Sequence, residues 1–230
     1  MSRWHEIWAG RRQMGEGTAL ADLIRADGFD AGAGKADEAA WSNYIAELVR
    51  RLGAVAGDSI FEVGCGAGAV LLVFHKAGCP VAGIDYSPTL IQYAQRAMPG
   101  MSFAVAEANT LSGRVHDFVL ANSVFSYFPD LDYADEVLAR MLAMAGKAVA
   151  VLDVPDAARQ AAAEAARRAA LPPGDYEARY HGLHHLYYAR EWFAGVAARQ
   201  GWRVDIADQW LVGYGNAPYR FNVIFRRGAS

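Results

Sequence analysis

The chain has 230 residues, 53% of them hydrophobic, and a formal net charge of −3 at pH 7. The length fits one domain with an elaboration. The negative net charge argues against non-specific nucleic-acid binding, which normally needs a basic surface. No apolar run approaches the ~20 residues that cross a bilayer, and residues 1–10 lack the apolar core of a secretory signal. Its two cysteines, Cys65 and Cys79, do not make a disulfide framework, so we expect a cytoplasmic protein. We also expect a monomer or a homodimer, without membrane or nucleic-acid partners.

The first part of the chain is predicted to be helical. Apolar residues at helical spacing between Ala40 and Leu52 predict an amphipathic helix that ends near Gly53. The preceding segment, 28–34, is rich in Gly and Asp and is typical of a loop. We therefore predict an N-terminal helical leader or cap over residues 1–56, followed by a second domain over 57–230.

Strands and helices alternate along the chain from residue 59 onward. The predicted strands are 59–63, 81–84, 101–105, 116–121, 147–154, 202–206 and 220–225. Pro88 is expected in the first turn of the helix after the second strand, and a later helix is predicted to begin at Asp132 as its N-cap and to stop at Gly146. The alternation predicts an α/β fold with a Rossmann-like, doubly wound, mostly parallel sheet that a terminal antiparallel pair closes.

An insertion, residues 155–188, interrupts the alternation. It is predicted to contain an Ala-rich helix over 157–170, which Pro172 and Pro173 stop, and a loop over 174–186 rich in Tyr and His. It follows the carboxyl end of a strand, which is the rim where open α/β sheets bind ligands. The insertion is therefore a candidate lid.

A glycine-rich loop follows the first strand, with the sequence EVGCGAG over Glu62–Gly68. Its glycines let the backbone turn tightly and approach a ligand where a Cβ would collide. Asp85 ends the next strand, where a carboxylate can accept hydrogen bonds from a ribose diol. These features predict a nucleotide-type cofactor. They do not choose it alone, because Gly64, Gly66 and Ala69 also fit the dinucleotide pattern G-x-G-x-x-G/A.

Three further acidic or polar positions favour a sulfonium cofactor. Glu62 lies two residues before the first glycine, where an acid can bind the amino group of a methionine moiety but would repel a pyrophosphate. Glu107 follows the third strand and is placed to flank an adenine. Asn122 follows the fourth strand, at the switch point of the sheet.

In order and spacing, Glu62–Gly68, Asp85, Glu107–Ala108 and the strand Asp117–Asn122 resemble the motifs of small-molecule class I S-adenosylmethionine-dependent methyltransferases. The resemblance implies a seven-stranded sheet with the last strand antiparallel, S-adenosylmethionine as cofactor and S-adenosylhomocysteine as product. It also implies the cofactor-binding residues, with Glu62, Gly64, Gly66 and Gly68 at the methionine end, Asp85 at the ribose, and Glu107 and Ala108 at the adenine. Cys65, Tyr86 and Asn122 are further expected cofactor-binding residues. Glu107 stands where the family more often has Asp.

Leaders in this family often fold over the cofactor. Trp41 and Tyr44 are therefore expected to cover it, with hydrophobic packing at helical spacing as the alternative.

A hydroxyl acceptor would need a base, because an alcohol is a poor nucleophile until its proton is leaving. Histidine titrates near neutrality, so His181, His184 and His185 of the insertion are the candidate catalytic residues. Packing or surface positions are the alternative for them. Their spacing does not favour a metal site, and we predict none.

Substrate contacts are predicted from two other segments. Ser126 and Tyr127 follow the fourth strand, and Tyr214 and Arg220 lie near the closing strands. Arg220 is expected to pair with an acidic acceptor, or else with Asp205 or Asp208.

The sequence thus predicts methyl transfer from S-adenosylmethionine to a small-molecule acceptor, at a hydroxyl oxygen of the sugar or natural-product type. Transfer to nitrogen or carbon stays open, because all three chemistries use the same cofactor site. Two other classes also stay open. One is an NAD-dependent oxidoreductase, although the sequence has no Tyr-x-x-x-Lys pair; the other is a binding module that keeps the cofactor pocket without turnover.

Overall fold

The computed structural model describes Trp4, Ile7, Trp8 and residues 17–30, 32–172 and 174–228, with the side chain of Arg179 left out. Its centre is a seven-stranded sheet with the order β3-β2-β1-β4-β5-β7-β6. The strands are β1 (Ile60–Val63), β2 (Val81–Asp85), β3 (Ser102–Val105), β4 (His116–Asn122), β5 (Ala145–Pro155), β6 (Trp202–Asp208) and β7 (Arg220–Arg227). Strands β1 to β5 pair in parallel, and β7 is antiparallel to β5 and β6. The predicted sheet, with its last strand antiparallel, is confirmed.

Helices cover both faces of the sheet. They are α1 (Leu20–Ala26), α2 (Glu38–Leu52), α3 (Ala69–Lys76), α4 (Pro88–Ala97), α5 (Leu131–Met144), α6 (Gln160–Ala169), α7 (Asp175–Tyr180) and α8 (Arg190–Gln200). Helices α1 to α4 share one buried cluster with Phe118 and Leu120 of β4, and α5 and α8 share the other with Val119 and Ala121. Because successive residues of a strand point to opposite faces, the central part of β4, residues 118–121, is apolar and buried on both faces. Among the helices described, none combines the length and apolar character needed to cross a membrane.

Helix α2 attaches the leader to the sheet. Asp37 caps its first turn, where its carboxylate accepts from the Ala40 amide at 2.7 Å, and Gly53 ends it in the left-handed conformation with φ 69°. Its buried face includes Trp41, whose indole nitrogen donates to the Ala69 carbonyl at 3.1 Å. This contact joins the leader to the start of α3, beside the glycine-rich loop.

Two predicted boundaries of α5 are wrong. The N-cap is Asp130, whose extended backbone lets its carboxylate accept from the Tyr133 amide at 2.8 Å, while Asp132 lies inside the first turn. Gly146 does not stop the helix, which ends at Met144, but lies in β5. A Cβ there would lie 3.3 Å from the carbonyl oxygen of His116, so this glycine serves close strand packing.

The insertion is more ordered than predicted, because the expected loop over 174–186 contains α7. Its far end returns to the carboxyl edge of the sheet. The amide of Leu186 donates to the Ser126 carbonyl at 2.9 Å, and that of Tyr188 donates to the Pro155 carbonyl at 2.9 Å. These backbone hydrogen bonds hold the end of the insertion beside the segment that follows β4.

Replacing Asp130 with alanine should lower the free energy of unfolding by about 1 kcal/mol, since it removes the N-cap of α5. The control is Asp132→Ala, which removes an exposed acid from the same turn and should cost only about 0.3–0.5 kcal/mol through the helix dipole. Urea denaturation measures both losses. An equal or larger loss for Asp132→Ala would contradict the assignment of Asp130 as the cap.

Candidate functional site

A cavity of about 430 Å³ lies at the carboxyl ends of β1, β2 and β4, within the volume range of small-molecule sites. Most of the predicted cofactor residues line it: Trp41, Glu62, Gly64, Cys65, Gly66, Asp85, Tyr86, Glu107, Ala108 and Asn122. The exceptions are Gly68, which is the N-cap of α3, and Tyr44. The position is the one where open parallel sheets bind ligands.

Two glycines of the loop are required by both conformation and space. Gly64 and Gly66 have φ values of 67° and 54°, which disfavour any residue with a Cβ. A Cβ on Gly64 would lie 2.5 Å from a methyl carbon of Val124, and one on Gly66 would lie 2.2 Å from Oδ1 of Asp27. The loop backbone therefore packs against neighbours on one side and forms the wall of the cavity on the other.

Asp85 fixes the loop from the end of β2. Its Oδ2 accepts from the Gly66 amide at 3.0 Å and its Oδ1 accepts from the Ser87 amide at 2.8 Å. Burial raises the pKa of this carboxyl, and the two amide donors act in the opposite direction. Each oxygen keeps a second lone pair, so the carboxylate can still accept hydrogen bonds from a ligand in the cavity.

Glu62 is the most unusual side chain of the site. It is 2% exposed, and its Oε2 accepts no hydrogen bond from any residue that the structure describes. Burial, followed by the negative charges of Asp27 and Asp85, raises the pKa of this carboxyl well above its usual value. A buried carboxyl without a partner is costly, and a ligand with a positively charged donor would remove that cost.

The cavity as a whole is acidic. Asp27, Glu62, Asp85 and Glu107 line it, and none of the lining residues in the described ranges is Lys, Arg or His. Such a wall favours a ligand that carries positive charge and disfavours one that carries phosphates.

Asp27 also takes the place that a dinucleotide would need. Its Oδ1 accepts from the Ala67 amide at 2.6 Å and its Oδ2 accepts from the Ala69 amide at 3.2 Å, at the N-terminus of α3. A pyrophosphate binds at such a helix N-terminus when it is open. Asp27 is not predicted from the sequence, because a single acid just before a Gly- and Asp-rich segment carries no signal of what it contacts.

The leader contributes to the wall of the cavity in a way that differs from the prediction for Tyr44. Trp41 lines the cavity, but Tyr44 lies behind it, and its hydroxyl donates to Oδ1 of Asn122 at 3.0 Å. Tyr44 thus orients a lining residue and does not cover the cavity itself. Trp4 and Trp8 also line the cavity and pack on Tyr127, with ring centroids 5.0 and 5.6 Å apart.

None of the three candidate histidines lines the cavity. His181 and His184 are exposed, and the His184 carbonyl accepts from the indole of Trp4 at 2.9 Å. His185 packs behind Trp4, with ring centroids 4.8 Å apart. The structure therefore does not bring a histidine to the position expected for a base.

His185 is also held in its neutral form. The Nη1 atom of Arg167 lies 3.0 Å from its Nδ1, and because a guanidinium only donates, Nδ1 accepts. Burial and then the charges of Arg167 and Arg220 lower the pKa of His185 to about 3. The Nε2 atom then carries the proton, which leaves no free basic nitrogen on this ring.

Of the four predicted substrate contacts, only Tyr127 lines the cavity. Ser126 is buried, with its hydroxyl 3.4 Å from the Ser123 carbonyl, to which it donates. Tyr214 and Arg220 belong to a network around Asp153. Arg220 therefore pairs with neither Asp205 nor Asp208; its ion pair is with Asp153, at 3.5 Å.

Asp153 is the centre of that network. It is 2% exposed and has φ 57°, a strained value for a residue other than glycine. Its carboxylate accepts from Ser123 Oγ at 2.7 Å, from the Tyr214 hydroxyl at 3.0 Å and from Gln209 Nε2 at 3.1 Å. Ser123 has φ 59° and lines the cavity. Two strained residues at the ends of β4 and β5, Ser123 and Asp153, are thus hydrogen-bonded to each other beside the cavity.

Part of the chain is similar to known methyltransferases. Residues 61–150 match the family model of a methyltransferase domain. A trans-aconitate 2-methyltransferase of Methylobacterium nodulans is 30% identical over 131 residues, which cover 56% of this chain and 50% of that protein. One of Methylobacterium radiotolerans is 33% identical over 88 residues, which cover 37% and 34%. The chain spans half or less of the length of these curated relatives.

Solved structures share the fold at low sequence identity. Magnesium protoporphyrin IX methyltransferase from Synechocystis with bound S-adenosylhomocysteine has a TM-score of 0.62 and 17% identity, covering 91% of this chain and 98% of that one. A plantazolicin methyltransferase with the same ligand has a TM-score of 0.61 and 15% identity, covering 98% of both chains. The chain therefore shares the fold of these methyltransferases, and its residues 61–150 match a methyltransferase domain.

Asp153→Asn should lower the free energy of unfolding by about 3 kcal/mol, because it leaves the buried guanidinium of Arg220 without its counter-charge. Asn tolerates a positive φ, so the variant isolates the charge from the backbone conformation. The control is Asp208→Asn, whose carboxylate is 84% exposed in its ion pair with Arg190 and should change stability by less than about 0.5 kcal/mol. Similar losses for the two variants in urea denaturation would contradict the role given to Asp153.

Proposed function

We propose that this protein is an S-adenosylmethionine-dependent methyltransferase that methylates a small molecule at an oxygen atom. The observation that carries the proposal is the buried Oε2 atom of Glu62, which has no hydrogen-bond partner among the described residues and lies in the wall of an acidic cavity. The amino group of a methionine moiety is a partner of the required charge and donor type. The similarity to trans-aconitate 2-methyltransferases supports a small organic acceptor.

Different residues of the cavity wall are suited to different parts of the cofactor. Glu62 would bind the amino group, the glycine-rich loop would lie against the methionine chain, and Asp85 would accept hydrogen bonds from the ribose hydroxyls. Glu107 and Ala108, after β3, would bind the adenine. The fit is supported by the left-handed Gly64 and Gly66, since their lack of a Cβ lets the backbone itself form the wall.

When bound, S-adenosylmethionine supplies a methyl group on a positively charged sulfur that leaves as a neutral thioether. The task of the protein is then to hold the acceptor in line and to exclude water. The packed rings of Trp4, Trp8 and Tyr127 exclude water from the wall. The hydroxyl of Tyr127 is the polar group that we assign to orienting the acceptor oxygen.

A nitrogen acceptor is the second candidate. It is favoured by one observation, the absence of a histidine or lysine among the described lining residues. A hydroxyl must lose its proton during the reaction, whereas a neutral amine attacks through its lone pair without a base. Product analysis after incubation with isotope-labelled methyl donor and paired hydroxyl and amine acceptors separates the two, and transfer to neither would favour a binding module without turnover.

Calorimetric titration tests the cofactor assignment. S-adenosylmethionine should bind, NAD should not, and Asp85→Asn should weaken binding about tenfold or more through the lost charge-assisted hydrogen bonds. The control is Asp205→Asn, which removes an exposed carboxylate from β6 and should leave affinity unchanged. Heat from NAD, with none from S-adenosylmethionine, would contradict the proposal.

Glu62 should make cofactor binding depend on pH. The raised pKa means that the free protein keeps this carboxyl protonated at low pH, while a positive amino group binds the ionised form. Affinity should therefore rise as the pH is raised above the usual titration range of a glutamate carboxyl, over the range in which the α-amino group of the ligand stays protonated. Glu62→Gln should bind more weakly and lose the pH dependence. A wild-type affinity that is constant over this range would rule out Glu62 as the proton-linked group.

A further inference from the structure

Asp27 connects the leader to the glycine-rich loop across forty residues of sequence. It follows α1 directly, and its own amide donates to the Leu23 carbonyl at 2.9 Å, which fixes its position at the end of that helix. Its carboxylate accepts from the amides of Ala67 and Ala69 at 2.6 and 3.2 Å. One side chain of the leader thus holds the loop that forms the wall of the cofactor cavity.

The loop is shaped around this carboxylate. Gly66 leaves room for it, because a Cβ at that position would lie 2.2 Å from Oδ1 of Asp27. Asp27 also lines the cavity itself, and its negative charge is one of the causes that raise the pKa of Glu62. The negative charge of Asp27 therefore acts on Glu62 as well as on the amides of Ala67 and Ala69.

The part of the leader around Asp27 is well packed. Leu23 and Ile24 of α1 are buried, and the ring of Phe29 packs on that of Trp41 with centroids 4.7 Å apart. Phe29 and Trp41 line the same cavity. A charge that is held this firmly does not need to reorganise when a ligand binds, which makes it effective in stabilising a cation.

We propose that Asp27 is a specificity-determining residue of the cofactor site, which fixes the glycine-rich loop and favours the sulfonium cofactor over its uncharged thioether product. The proposal rests on the proposed function, because it assumes that S-adenosylmethionine occupies this cavity. The two ligands differ by the methyl group and by one positive charge at sulfur. A fixed carboxylate in the wall therefore stabilises the cofactor more than the product.

The test compares three variants by calorimetric titration with S-adenosylmethionine and S-adenosylhomocysteine. Asp27→Asn and Asp27→Ser keep an acceptor for a loop amide but remove the charge. The matched control is Asp30→Asn, an exposed acid three residues further on in the leader. Circular dichroism checks that each variant is folded.

The two uncharged variants should lose affinity for S-adenosylmethionine about tenfold or more, and for the product about threefold or less, as for a unit charge at close range in an effective dielectric of about 20. Asp30→Asn should bind both ligands like the wild type. Hydrogen exchange of the Ala67 and Ala69 amides gives an independent readout, and it should be faster in Asp27→Ser than in the wild type.

An equal fall in affinity for both ligands, or no fall, overturns the specificity role, and unchanged exchange of the two amides overturns the role in fixing the loop. These outcomes differ from failure of the proposed function, in which the wild-type protein would bind neither ligand. In that case the amide exchange of the Asp27 variants would still decide whether the leader holds the loop.

Discussion

Carboxylates from different elements of the fold meet at one cavity. Asp27 comes from the end of α1, Glu62 from β1, Asp85 from the end of β2 and Glu107 from the segment after β3. Burying like charges together is unfavourable, and burial, followed by the charges of Asp27 and Asp85, raises the pKa of Glu62. A ligand with positive charge relieves that cost, so the arrangement favours the proposed sulfonium cofactor over a ligand that carries a pyrophosphate.

Two supports hold this acidic site in place. On one side the leader supplies Asp27 to the loop and Tyr44 to Asn122. On the other side, Ser123 and Asp153 adopt strained conformations and are bonded to each other where β4 and β5 end. Strain of this kind persists only where the surroundings impose it. The site therefore depends on contacts well outside residues 61–150, the segment that matches the methyltransferase domain.

Repeating local patterns made the sheet and the glycine-rich loop predictable. A parallel strand covered on both faces is apolar throughout, and a left-handed turn after it requires glycine, so both features are visible in sequence. The features that could not be predicted depend on which side chains far apart in the sequence come into contact. Nothing near Asp27 indicates its amide donors forty residues away, and nothing near His185 indicates that Arg167 occupies its Nδ1. The α5 cap was misplaced by two residues because Asp130 and Asp132 are both suitable capping residues, and only the backbone conformation distinguishes them.

The most direct measurement of the central claim is a crystal structure of the protein with S-adenosylhomocysteine. We expect the ligand to lie in the acidic cavity, with its amino group within hydrogen-bond distance of Glu62 Oε2 and its ribose hydroxyls on Asp85. Density for the ligand in this cavity with Glu62 still unpartnered, or density only elsewhere on the molecule, would contradict the account.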